Sequence, residues 1–370
     1  MSFYHQYEEM QRFPFQEIFA SVTEQEVKQV LKKDHLNEKD LLILLSPTAE
    51  HFLEEMAQKA HQLTVRHNGK TMLLFTPMYI SDYCVNHCTY CSFSIMQQFN
   101  RKKLSLSEIE IEAKSIAATG LKHILVLTGE APIHTPISYF KEVICILKKY
   151  FSSISIEIHP LQIEEYKELV QSGVDGLTIY QEVYNENVYK EIHIKGPKRN
   201  YNYRLDAPER GCKAGMQQVT VGALLGMDNW RKETFFSAMH ANYLQNKYLE
   251  TAINLSFPRM RPYAGSFKPN DDVEDRHLVQ AILACRLFLP HIGVTLSTRE
   301  SSYLRDQLIP LGITKMSAGS STQVGGYMQD GGMNQFDISD ERDVEEICQL
   351  LYQKGYQPVF KDWQSLEVTS

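Results

Sequence analysis

The stretch Thr71-Met-Leu-Leu-Phe-Thr-Pro-Met-Tyr-Ile-Ser-Asp-Tyr-Cys-Val-Asn-His-Cys-Thr-Tyr-Cys-Ser-Phe93 joins an apolar, strand-like run to a loop rich in cysteine. Cys84, Cys88 and Cys91 stand in the order C-x3-C-x2-C. Thiolates on so short a loop converge on one metal centre. Three ligands are one too few for a closed tetrahedral zinc site and for a fully ligated four-iron cluster. The spacing therefore predicts an iron–sulfur cluster with one iron open to a non-protein ligand. A zinc knuckle would need a fourth ligand, and only His87, inside the loop, is near. Unrelated buried thiols are a poor account of three among seven cysteines falling within eight residues.

A chain of 370 residues is one large domain or two ordinary ones. Apolar residues make up 43% of it, enough for a sizeable core, and its net charge of −7 offers no basic field for nucleic acid. The N-terminus shows no charged start followed by an apolar run, and no stretch is apolar for long enough to span a bilayer. A soluble, cytoplasmic protein is expected. Cys145, Cys212, Cys285 and Cys348 are scattered singly and read as small buried hydrophobes.

Outward from the cysteine loop the pattern repeats. Residues 1–70 read as a helical extension, with a capping box at Thr23–Glu26 and an N-cap pair at Ser46-Pro47. From Thr71 strands and helices alternate. Strands are expected at 71–81, 123–130, 153–160, 176–183, 218–226, 251–262, 293–300 and 315–321, as near-continuous apolar runs. Helices are expected between them, including one opened by the box Ser105–Glu108, one from Gln162 stopped by Gly173, and one near Tyr201–Ala214. Eight βα units close a (β/α)8 TIM-type barrel over residues 71–355, an α/β fold. The alternative is an open doubly wound sheet, but no Gly-rich dinucleotide fingerprint follows the first strand. Gly325–Gly332 reads as a loop. A tail over 356–370, with Tyr356, Phe360 and Trp363, is expected to pack on the barrel.

Active sites of such barrels lie at the C-terminal ends of the strands. The cysteine loop is at that rim. Thr128-Gly129-Glu130, Glu157, His159, Gln181, Glu182, Arg204, Arg259, Arg261, Ser297-Thr298-Arg299-Glu300, Ser317 and Ser320 share it. So many polar groups at strand ends are costly to bury without partners, although any one of them is as readily a rim salt bridge.

With those residues in view the chain resembles the radical S-adenosylmethionine (SAM) enzymes, which carry the same C-x3-C-x2-C loop and a Gly-Glu pair ending the second strand. Tyr203-Arg204-Leu205, Ser256-Phe-Pro-Arg-Met-Arg-Pro262, Ser297-Thr-Arg-Glu300 and Gln323-Val-Gly-Gly-Tyr327 resemble one branch, the aromatic amino acid lyases, and within it the thiamine-pathway type. The resemblance implies a carbon–carbon lyase with a 4Fe-4S cluster and SAM as cofactors. It implies that Cys84, Cys88 and Cys91 hold the cluster and that Gly129 and Glu130 meet the SAM amino group. Arg204 then suits the SAM carboxylate, and Glu157 and Gln181 the ribose. Arg299, with Ser317 beside it, suits the substrate carboxylate, and Arg259 and Arg261 are the competing choices. The implied reaction is Cα–Cβ cleavage of L-tyrosine. Implied partners are a thiazole synthase and a flavodoxin or ferredoxin type reductant. A tryptophan substrate and the tyrosine lyase of hydrogenase cofactor maturation are the alternatives. The second cluster of the latter is not expected, since Cys348 stands alone. The lone later cysteines likewise speak against sulfur insertion.

Overall fold

The computed structural model describes residues 2–328 and 332–361. Its centre is a run of parallel strands: β1 (Thr71–Ser81), β2 (His123–Thr128), β3 (Ser153–Glu157), β4 (Gly176–Thr178), β5 (Gln218–Val221), β6 (Ala252–Ser256), β7 (Gly293–Leu296) and β8 (Lys315–Ser317). Each pairs with the next in chain order, and β8 returns to β1 with Leu73 opposite Lys315 and Phe75 opposite Ser317. That last pairing closes the barrel and excludes the open sheet.

The strands are shorter than the sequence suggests. β4 ends at Thr178 and β6 at Ser256. Beyond those points the chain stays extended but the strands splay. Only isolated bridges persist there, Glu182 with Ala223 and Leu225 with Arg259.

The apolar runs also resolve into an alternation. Ile124, Val126, Ile154, Ile156, Leu177, Val219, Ile253, Leu255, Val294, Leu296 and Met316 are buried against the helices. Their neighbours facing the lumen include Ser155, Glu157, Ser256, Thr295 and Ser317. Barrel interiors are usually filled by bulky branched side chains. This one places much of its apolar core outside the ladder, and along β6, β7 and β8 small hydroxyl-bearing residues face the lumen opposite Phe75, Leu125 and Leu127. Strand contact is correspondingly tight: a Cβ on Gly222 would lie 1.9 Å from the carbonyl oxygen of Ser256.

Helix signals mostly hold. Thr23 and Glu26 form a reciprocal capping box, as do Ser105 and Glu108. Gly173 ends its helix with φ of 118°. Ser46 Oγ accepts from the Ala49 N–H, but the turn it caps is a 3-10 helix, Thr48–Phe52, preceding the α-helix Leu53–Asn68. The helix expected near Tyr201–Ala214 is two, Tyr201–Leu205 and Ala207–Lys213. Pro208 lacks the N–H that would continue the first and suits the opening turn of the second. Cys212 and Cys285 are buried as expected, whereas Cys145 is exposed.

Besides the 3-10 turn Pro197–Arg199, three elements have no counterpart in the sequence reading. One is the helix Glu186–Ile192, and another is the short strand Gln357–Val359, which lies parallel to the start of β1. The third is an antiparallel pairing of His87–Cys88 with His193–Lys195. Tyr356 is buried beside the added strand, while Trp363 lies outside the described residues.

The N-terminal extension is ordered from its first turn, Phe3–Met10. Phe3 stacks on His240 with ring centres 4.3 Å apart, and the Tyr7 hydroxyl donates to the Tyr184 carbonyl at 2.6 Å. Farther along, Leu53–Asn68 packs on the helix Asp275–Phe288. There the Gln280 amide donates to the Leu44 and Ser46 carbonyls at 2.9 and 2.8 Å.

Gly222→Ala should be strongly destabilising, because backbone stands in the way and cannot rotate aside. A loss of roughly 2–3 kcal/mol is expected. Urea unfolding of the variant measures it, and an unchanged midpoint would contradict the strand spacing.

Candidate active site

At the C-terminal mouth of the barrel lies a cavity of about 1370 Å³, its opening included, and the three thiols of the cysteine loop line it. The loop is fastened at both ends by Arg101, which donates to the carbonyls of Asp82 (2.6 Å), Phe93 (2.7 Å) and Ser94 (2.7 Å). Asn86 fixes its middle. Its Nδ2 donates to Glu130 at 2.8 Å, and its Oδ1 accepts from the Lys198 N–H at 2.9 Å. Gly129 lets the end of β2 pass under the loop, since a Cβ there would sit 2.3 Å from the Tyr83 carbonyl oxygen.

Burial raises the pKa of all three thiols, Cys91 to about 11; Glu130 adds to the effect at Cys84, and the other thiols add to it at Cys88 and Cys91. None is in a disulfide. Among the described residues, no three His, Cys, Asp or Glu side chains converge as ligands of a single ion. Three soft donors spread around a cavity suit a multi-iron centre with one thiolate for each of three irons. The donor set therefore fits an open 4Fe-4S cluster.

Beside the loop is a buried group of four charges. Arg204 donates to Glu130 at 2.8 Å, to Glu182 at 3.0 Å and to the Tyr180 carbonyl at 2.7 Å. Lys198 donates to Glu182 at 2.8 Å. Burial alone would raise the carboxyl of Glu182, but Lys198 and Arg204 outweigh it and hold it down to about 2. Glu182 has φ of 72°, the positive-φ residue other than glycine among those described, so this cluster is held at a cost in backbone strain.

The opposite wall carries Arg299. Its guanidinium lies on the Phe336 ring, 3.3 Å from the centroid, and makes one long bond of 3.4 Å to the Arg259 carbonyl. Among the described residues no carboxylate pairs with it. Glu300, its neighbour, is taken by Arg259 and by Arg261 at 2.8 Å, and Arg259 also holds Asp275 at 2.7 Å. Arg259 is thus a structural clamp. Ser317 Oγ accepts from the Thr298 N–H at 3.1 Å and lines the cavity near Arg299. Glu157 faces the same space without a hydrogen-bond partner among the described residues. Burial, and then repulsion by Glu182, raises its carboxyl to about 7.

Two expected roles need correction. Gln181 does not line the cavity. The pleat turns Tyr180 and Glu182 inward instead, so the residue facing the ligand space at the end of β4 is Glu182. Arg204 does line the cavity, but its fork is spent on Glu130 and Glu182, leaving no free bidentate face for a carboxylate. Glu130 uses one oxygen for Arg204 and one for Asn86, and a carboxylate retains further lone pairs for an ammonium. Sequence reasoning missed Lys198, Asn86, Arg101 and Phe336. Asn86 lies between two of the cysteines, and that position was the available signal. The other three come from loops whose approach to the site depends on the fold.

The cavity also holds orphans. Thr128 Oγ1 and Arg261 Nε are buried on its wall with no partner among the described residues. With Arg299 and Glu157 they are polar groups awaiting a polar, zwitterionic ligand set such as SAM and an amino acid. No helix among the described residues is long and apolar enough to cross a membrane.

Comparison with known proteins agrees with this geometry. Residues 78–240 match the model of the Radical SAM superfamily, and residues 256–357 that of the Biotin and Thiamin Synthesis associated domain. The 2-iminoacetate synthase of Escherichia coli strain K12 is 41% identical over 93% of this chain and 92% of its own length. That of Salmonella typhimurium is 40% identical over the same shares. Among solved structures, the FeFe-hydrogenase maturase HydG from Carboxydothermus hydrogenoformans superposes with a TM-score of 0.86. Its identity is 33%, covering 97% of this chain and 83% of the maturase.

Glu157 gives a prediction with a definite sign. Its folded pKa of about 7 lies above the ordinary value near ~4.3. The folded state therefore keeps a proton that the unfolded state releases, and stability falls as pH rises between those values. Glu157→Gln removes the penalty. Without cluster or SAM, the variant should exceed the parent by roughly 2 kcal/mol at pH 8 and match it near pH 4.5. Thermal melts at the two pH values check this.

Proposed function

The chain belongs to the radical SAM superfamily and, within it, to the 2-iminoacetate synthase family, and on that premise we propose that it cleaves the Cα–Cβ bond of L-tyrosine to give 2-iminoacetate and p-cresol. One observation carries the reading: three thiols and a guanidinium with no carboxylate partner among the described residues line one cavity at the barrel mouth. When bound, the 4Fe-4S cluster and SAM supply a 5′-deoxyadenosyl radical that removes a hydrogen from the substrate.

The chain's own residues bind, orient and shield. Cys84, Cys88 and Cys91 hold the cluster. Glu130, braced by Arg204 and Asn86, accepts from the SAM ammonium, and Gly129 brings β2 close enough for it to do so. Lys198 is better placed than Arg204 for the SAM carboxylate. Its three donors rotate freely, and only Glu182 binds one of them closely. Glu157, whose raised pKa of about 7 keeps a sizeable protonated fraction near neutral pH, offers a hydroxyl donor and an acceptor to the ribose.

Arg299 clamps the substrate carboxylate in a fork, with the Phe336 ring holding the guanidinium flat. Tyr79, Leu125, Leu127 and Tyr180 add apolar and aromatic surface to the wall, which helps keep water from the reacting atoms. The product imine hydrolyses easily in water. Direct transfer to a thiazole synthase in a cytoplasmic pathway follows from that chemistry, and a flavodoxin or ferredoxin type protein supplies the electron.

Incubating the reduced, reconstituted enzyme with SAM and L-tyrosine should yield p-cresol, and its absence would overturn the assignment. Cys88→Ala should lose the iron and all SAM cleavage, because two thiolates do not hold the cluster; iron and sulfide analysis checks this. Arg299→Lys keeps the charge but not the fork. A misplacement of about 1 Å costs on the order of 10²-fold. The variant should thus still produce 5′-deoxyadenosine while forming far less p-cresol for each SAM consumed. Quantifying both products decides the point.

A further inference from the structure

We infer that the hydroxyl of Thr295, on the floor of the cavity below Arg299, reads the phenol hydroxyl of the substrate and sets the preference for a hydroxylated ring. The inference rests on the proposed tyrosine substrate and adds the residue that recognises its ring. Thr295, Ser297 and Arg299 follow one another at alternate positions and all line the cavity. Thr295 lies within β7 and Arg299 in the turn just past its C-terminal end, so Thr295 is the deeper of the two. An amino acid with its carboxylate on the guanidinium and its ring pointing down the barrel turns that ring toward Thr295.

Phe75 and Leu125 also line the cavity. Lys315, a ladder partner of Thr295, carries its Nζ over the Phe75 ring, 4.8 Å from the centroid, and 3.4 Å from His123 Nε2. His123 is engaged in turn with Ser155 at 2.9 Å. The other hydroxyls in reach are less available. Ser317 Oγ accepts from the Thr298 N–H, Ser297 Oγ accepts from the Arg299 N–H at 3.4 Å, and Ser256, the ladder partner of Thr295, is buried.

Thr295 alone of this group, among the described residues, has neither a hydrogen bond to its Oγ1 nor a sealed position. It is half-buried and opens on the cavity. As a β-branched residue in a strand it holds its rotamer stiffly, so the hydroxyl is aimed before the ligand arrives. A half-buried hydroxyl with no partner is costly until a ligand meets it. A site of that kind discriminates strongly against a ligand lacking the matching group.

The test uses reconstituted enzyme with SAM and no reductant, so that no turnover occurs. Calorimetry gives Kd for L-tyrosine and for L-phenylalanine. Thr295→Val keeps the shape and loses the hydroxyl, and it should cut the preference for tyrosine by about tenfold or more. Thr295→Ser keeps the hydroxyl and loses the methyl, and it should retain the preference. A valine variant that still prefers tyrosine as the parent does, or a serine variant that loses the preference as fully as valine, would overturn the inference. The two readings separate in the parent. No tyrosine binding and no p-cresol defeats the proposed function and this inference with it. p-Cresol formation together with an unchanged valine variant defeats the inference alone.

Discussion

Four charges taken out of water at one spot set the terms for the whole mouth of the barrel. Glu130 comes from the end of β2, Glu182 from beyond β4, and Lys198 and Arg204 from the long connection after it. Removing one partner from such a group leaves an uncompensated buried charge and costs about 3–5 kcal/mol, so the three chain segments are locked together. The cysteine loop is tied into the same lock through Asn86, which touches both Glu130 and the Lys198 backbone. Even the N-terminal helix takes part. The Tyr7 and Tyr201 hydroxyls both donate to the Tyr184 carbonyl, two residues past Glu182. The Ser2 hydroxyl is bonded to Asp206, two residues past Arg204. The extension thus acts as a brace for the charged wall.

A second network steadies the opposite wall. Arg305, fully buried, bonds the Ser317 carbonyl and Asp340, and Asp340 is shared with Arg342 at 2.7 Å. Glu300 gathers Arg259 and Arg261. Carboxylates on this side are consumed by structural arginines. Arg299 is left facing the cavity by that exclusion. Its availability is a property of its neighbours' pairing as much as of its own position.

The sequence made the barrel legible because each strand announces itself by a short apolar run and each helix by a cap or a glycine stop, as at Ser105, Glu108 and Gly173. It made the three thiols of the cysteine loop legible as one group, because their spacing brings them together on the cavity wall. The site beyond them was only partly readable. Gln181 and Glu182 are adjacent and chemically similar in role, and only the pleat tells which faces the cavity. Arg204 is in the site, but its neighbours claim its fork, and pairing of that kind depends on distances between strands. Lys198, Arg101 and Phe336 lie on connections whose path no periodicity describes. The alternation within the strands was hidden by Ser and Thr, which sit as readily in a half-apolar run as on a polar face.

The small hydroxyl-bearing residues lining the lumen have a thermodynamic corollary. A barrel that fills its centre with Leu and Ile completes its core by itself, whereas this one forgoes those contacts along β6, β7 and β8. A ligand ring in the lumen would supply them, and a ligand that binds only the folded chain adds RT ln(1 + [L]/Kd) to its stability. The substrate is in that sense a detachable part of the core. The resistance of this protein to unfolding and to proteolysis therefore rises and falls with the supply of the molecule it consumes.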